Sequence, residues 1–137
     1  MNYDEFIGQV QSRARLATQS EAIKATRATL ETLGERLFGN EAEHLASQLP
    51  TEIKTYLTQA TNKESFDLNE FFQRVLKKEG GSVELPDAVH HARAVIAVLC
   101  DAVSAGEIND ALAQLPAEYD DLFEAGSEGT MQRRRAK

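Results

Sequence analysis

The chain has 137 residues, enough for one ordinary domain or two very small ones, and its 42% apolar and 27% charged residues are those of a globular protein. Its single cysteine, Cys100, excludes an internal disulfide and a four-thiolate zinc site. The net charge of −7 is uneven: residues 127–137 carry +3, three arginines and a lysine against one glutamate, so the remainder carries −10 and repels nucleic acid phosphates and anionic lipid.

The opening "MNYDEFIGQVQSRAR" contains acids and lacks an apolar core, so no secretory signal is visible. No uncharged apolar stretch approaches the ~20 residues that cross a bilayer. These features lead to the expectation of a cytoplasmic protein without membrane contact.

The first helix is expected to start at Asn2, with Glu5 three residues later in a capping-box arrangement and Met1 and Phe6 placed as a hydrophobic staple. Tyr3, Phe6, Ile7 and Val10 form one face of it. A long helix follows near 20–38, its seam made by Ile23, Leu30, Leu33 and Leu37, and a short one runs from about 41 to 48. Gln48-Leu49-Pro50 then reads as a helix-to-helix corner. Proline has no N–H and a fixed φ, which suits a first turn, and it pushes Leu49 toward extended geometry. Glu52 lies in the first turn of the fourth helix, where the macrodipole favours an acid.

The corner recurs as Gln114-Leu115-Pro116, 66 residues on. At that offset Arg27 and Ala28 fall on Arg93 and Ala94, Leu33 on Leu99, Glu41 on Glu107 and Glu52 on Glu118; shifted by one, "YDEFIGQV" falls on "LNEFFQRV". The second set of elements therefore repeats the first. Asp67 caps and Glu70 follows, Phe66 and Phe71 staple, Leu68, Phe71, Phe72, Val75 and Leu76 make the face, and Gly80-Gly81 ends the helix. A long helix over 86–104 carries Val89, Ala92, Ile96, Leu99 and Val103; a short one spans 107–114, and another begins at Pro116. Gly34 falls on Cys100, and both are expected at helix crossings, with Cys100 at least partly buried. The predicted fold is an all-α bundle of about eight helices, built from two tandem four-helix repeats that share one compact domain. The first repeat covers 1–60 and the second 61–125, and a disordered basic tail covers 126–137.

"LGERL" at the end of a long helix, then "EAEHLASQLP", and a weaker second copy ending "ALAQLP", make the chain resemble the bacterial domain-of-unknown-function 2267 family over roughly residues 1–124. The resemblance implies an all-helical prokaryotic protein and brings no activity, cofactor or catalytic residue. The second copy departs from it by reading "CDAV" at 100–103.

Few residues suggest chemistry. His90 and His91 are adjacent and point about 100° apart on a helix, so they do not share one metal, and His44 or Cys100 would have to complete any ligand set. Asp87 and His91 are spaced to pair. Arg27 and Arg93 could meet an anion or a partner's carboxylate, against the plainer reading of an ion pair such as Arg27 with Glu31. Glu118, Asp120, Asp121 and Glu124 around Tyr119 read as a solvated acidic face. No nucleophile elbow or phosphate loop occurs, so no catalytic, cofactor or metal residue is assigned.

The leading expectation is thus a non-enzymatic interaction or self-association module, its partner another protein or a second copy, with Phe38, Phe72 and Phe123 able to form an exposed patch. The alternative is a small-molecule binder or enzyme with a pocket between the repeats, for which Arg27, Arg93, His44 and His90 are candidates. Weak nucleic acid contact through the tail comes third.

Overall fold

The computed structural model describes residues 1–124. Among them the chain forms eight α-helices, α1 Tyr3–Ala14, α2 Gln19–Arg36, α3 Glu41–Ala46, α4 Thr51–Thr58, α5 Leu68–Glu79, α6 Leu85–Ala102, α7 Ala105–Ala113 and α8 Asp120–Phe123, with a 3₁₀ turn at Ala117–Tyr119. The fold is an all-α bundle. Residues 126–137, where the basic tail falls, lie outside the described residues.

Local chemistry explains the helix starts. The Asn2 side chain accepts the Glu5 N–H at 2.8 Å while the Glu5 carboxylate accepts the Asn2 N–H at 3.0 Å, so two orphan donors are satisfied reciprocally. Thr18 and Glu21 do the same for α2. Asp67 accepts the Glu70 N–H at 2.8 Å, but the Glu70 carboxylate is drawn away to Arg74 Nε at 2.9 Å, and only half of the box is made. The staple beside it is present, with the rings of Phe66 and Phe71 centred 6.5 Å apart. Pro50 and Pro116 occupy cap positions with extended ψ of 154° and 156°, so the helical turns begin one residue later than the prolines.

The element bounds recur along the chain. Those of α1 shifted by 65 are those of α5, and those of α2 shifted by 66 are those of α6. Contacts recur as well: α1 packs on α6 and α5 on α2, while α2 meets α6 and α3 meets α7. One continuous cluster of buried side chains draws on residues before and after position 60, including Phe6, Leu33, Leu45, Phe71, Ile96 and Phe123. The segment 59–67 is tied down along its length. Lys63 Nζ donates to the Gly34 carbonyl at 2.8 Å, and the Glu64 N–H to that of Glu35 at 2.8 Å.

The two corners clamp across the molecule. Leu49 and Leu115 are buried, and the glutamine before each leucine reaches the opposite stretch. Gln48 Oε1 accepts the Ser104 N–H at 2.7 Å. Gln114 accepts the Phe38 N–H at 3.0 Å and donates to the Phe38 carbonyl at 3.2 Å. Positions 38 and 104 are themselves 66 apart, so each glutamine braces the residue that corresponds to the other's target. Both glutamines are exposed, and each hydrogen bond adds about 0.5–1 kcal/mol net. Gln114→Ala, losing two bonds, is expected to lower stability more than Gln48→Ala, which loses one. Urea melts of both variants check the order, and a larger loss for Gln48→Ala refutes it.

Candidate binding cavity at the Glu79–His91 pair

Glu79 is the last residue of α5, on the same face as Leu68, Phe71, Phe72 and Val75. The chain stops there because Gly80 and Gly81 both take positive φ, 63° and 64°, which glycine reaches without steric cost. The Gly80 N–H closes α5 on the Leu76 carbonyl at 3.0 Å, and the Asp87 carboxylate accepts the Glu84 N–H at 3.2 Å to open α6. This tight corner folds α6 back so that His91, two turns in, faces the end of α5.

There His91 Nδ1 lies 2.8 Å from Glu79 Oε2. The imidazole is 12% exposed and the carboxylate 2%. Glu79 Oε1 is sealed from solvent and has no hydrogen-bond partner among the described residues. Burying an acceptor without a donor costs about 1–3 kcal/mol. A polar atom left in that state inside a folded core is the kind of group that a bound molecule or a water satisfies.

The pair lines a cavity of about 210 Å³, closed further by Gly80, Gly81, Ser82 and Val83 on one side and by Leu16, Glu21 and Lys24 on the other. The walls come from both stretches of the chain. At the positions that correspond to Glu79 and His91, 65 and 66 residues earlier, stand Ala14 and Ala25, both buried. A polar pair therefore occupies one corner where its counterpart is plain packing.

The hydrogen bond to Glu79 raises the His91 pKa above the ordinary imidazole value, more than burial lowers it, with the charges of Glu79, Asp87 and Glu21 adding to the rise. The sign follows. A raised folded-state pKa contributes stability that is complete below the unfolded value of about 6.5 and disappears as pH climbs through the folded one. Wild-type protein should therefore lose stability relative to His91→Gln as pH rises from 6 to 9 and the imidazole gives up its charge. Parallel denaturation curves at the two pH values measure it, and an unchanged difference refutes it.

The residues singled out by sequence are dispersed. Arg27 Nε donates to Glu31 at 2.8 Å on the exposed face of α2. His44 is exposed on α3, 4.0 Å from the Glu41 carboxylate. Arg93 and His90 are exposed on α6, and the ring of His90 is centred 6.2 Å from that of His91. None of the four lines the cavity. Asp87 is not the partner of His91, because the α5–α6 corner presents Glu79 first. Gln48, Leu49, Pro50, Gln114, Leu115 and Pro116 lie at their corners. Among the described residues no group of three or more His, Cys, Asp or Glu side chains could hold a metal ion.

The aromatic patch does not exist as drawn: Phe38 is 42% exposed, but Phe72 is 9% and Phe123 fully buried, since both turn into the shared core. The acidic face is also interrupted. The 3₁₀ turn at 117–119 rotates Tyr119 and Asp120 inward, leaving Glu118, Asp121 and Glu124 exposed. One signal for the Glu79 site was present in the sequence, an acid at the helical spacing of an apolar face just before a double glycine.

The model of the family described as "Uncharacterized conserved protein (DUF2267)" matches residues 3–122, nearly the whole described chain. The chain belongs to this family. Both QLP corners, the double glycine, Glu79 and His91 fall inside the DUF2267 match. A comparison with curated proteins finds no match. No helix among the described residues of this DUF2267 protein is long and apolar enough to cross a membrane.

Proposed function

We propose that this DUF2267 protein binds a small polar molecule in the cavity between α2 and the α5–α6 corner. The observation that carries the proposal is Glu79, which lines a cavity of about 210 Å³ and whose Oε1 is a buried acceptor with no donor among the described residues. Pockets favour boundaries between structural units, and a few convergent polar groups fix a ligand's orientation. The proposal takes the chain as two related repeats, 1–60 and 61–125, with the cavity between them; the bounds shared at offsets of 65 and 66 support that division. It is preferred to the interaction-module reading because the burial of Phe72 and Phe123 removes the exposed aromatic patch considered for that module.

The test is an NMR-detected screen of small polar molecules against the full chain, repeated with Ser82→Trp, which puts an indole at the cavity rim. Binders are expected to shift the amides of residues 79–83 and 91 in the wild type and to lose that effect in the blocked variant. A broad library that shifts none of those amides, or shifts them equally in both proteins, overturns the proposal.

A further inference from the structure

The polar groups around this cavity restrict which molecules it can take. Resting on the binding reading above, we infer that the cavity is built for a small organic cation with N–H donors, a primary amine or a short diamine, held by Glu79.

The unfilled group is an acceptor, so the ligand must donate. Glu79 Oε1 has no hydrogen-bond partner among the described residues, and the contact with the His91 imidazole is made by Oε2. An ionised carboxylate only accepts, and a charged donor makes roughly twice as strong a bond to it as a neutral one. Because Oε1 is sealed in the unliganded protein, the ligand reaches it by a tilt of the carboxylate about its terminal torsion, which is soft. The cavity admits a molecule of only a handful of heavy atoms.

The charges around the cavity set the sign. Glu79 and Glu21 are negative and Lys24 is positive, so with His91 neutral the walls sum to one negative charge, and with His91 protonated to zero. Asp87, the other acid acting on His91, adds to the negative side. An acid-bearing ligand would meet Glu79 at close quarters, where like charges repel. A cation competes with protonated His91 for the same carboxylate. Amine binding should therefore strengthen as the imidazole loses its proton, the direction opposite to the folding stability that the pair supplies.

The experiment titrates the full chain with propylamine, ethanolamine and 1,4-diaminobutane, all protonated throughout, at pH 6 and pH 8.5, following the amides of residues 80–83 and 91. Propanol and propionate serve as size-matched neutral and anionic probes. The amines are expected to bind saturably at those amides, at least threefold more tightly at pH 8.5, with propanol weaker and propionate silent. Glu79→Gln should weaken the amines at least tenfold, and His91→Gln should keep binding while abolishing the pH effect. Should Glu79→Gln not fold, Glu21→Gln replaces it. Glutamine preserves that helix cap, and the lost charge should weaken amines about threefold. Binding of propionate or propanol at these amides without the amines overturns the cation assignment and leaves the cavity as a binding site. Silence from all five probes also overturns the assignment, and the broad screen then decides the site itself.

Discussion

Gly34→Ala is expected to cost about 3 kcal/mol, lowering the melting temperature by roughly 10 °C, although alanine is the better helix former. A Cβ placed on Gly34 would stand 2.3 Å from the carbonyl oxygen of Leu57 and 3.2 Å from its carbonyl carbon. These are backbone atoms of α4, not the end of a side chain that could swing aside. Relief requires α2 and α4 to separate, which loosens Leu30, Leu33, Leu37, Ile53 and Leu57, all fully buried. Inserting a methyl into packed structure costs about 1–3 kcal/mol, and a rigid neighbour puts this case at the upper end. Gly8→Ala should act with the opposite sign. Gly8 is exposed in α1 with nothing within 4 Å of the added Cβ, so alanine should stabilise by about 0.5–1 kcal/mol. Denaturant melts of the two variants beside the wild type provide the check, and a neutral Gly34→Ala would mean that α2 and α4 do not cross this closely.

How much of this was legible in the sequence depended on the range of the interaction. Caps and corners were legible because their partners lie within four residues. Asn2 with Glu5, Asp67 with the Glu70 N–H, and proline after leucine at 50 and 116 all express local geometry. The crossing at Gly34 was legible because a glycine inside a long helix needs a reason. The polar pairs were not, because periodicity records which face is buried and not what it meets there. His91 had a plausible partner in Asp87 four residues away, yet the corner at Gly80-Gly81 supplies Glu79 from the preceding helix. Phe72 and Phe123 were expected to be exposed near helix ends, but Phe72 lies in the second turn of α5 and Phe123 closes α8, and both join the shared core. Arg74 shows the same limit. Its spacing to Glu70 was readable, whereas its contacts with Glu35 at 3.1 Å, Glu64 at 2.8 Å and the face of Phe66 at 3.9 Å needed the fold.

Removing both donors from the Phe66 carbonyl should cost far more than the two single changes imply. Arg36 reads locally as a cation suited to the last turn of α2, but it is 4% exposed, with its guanidinium 5.8 Å from the ring centre of Phe66 and 5.4 Å from that of Tyr119. Its Nε–H donates to the Phe66 carbonyl at 2.7 Å, and the Tyr119 hydroxyl donates to the same oxygen at 2.7 Å. Burial pushes the Tyr119 pKa up to about 12, with Arg36 acting against the rise, so the phenol keeps its donor proton at neutral pH. Tyr119→Phe should cost about 1 kcal/mol, since Arg36 still satisfies the carbonyl. Arg36→Met should cost about 2 kcal/mol: the charged bond and the ring contacts are lost, but the guanidinium no longer has to leave water. In the double variant the carbonyl loses both donors, which adds about 1–2 kcal/mol beyond the sum of the singles. The total of about 4–5 kcal/mol would threaten the fold, because this oxygen anchors the segment before α5 to both the end of α2 and the 3₁₀ turn. A double-mutant cycle by chemical denaturation measures the coupling. If the two losses simply add, the shared acceptor is not what joins these three elements.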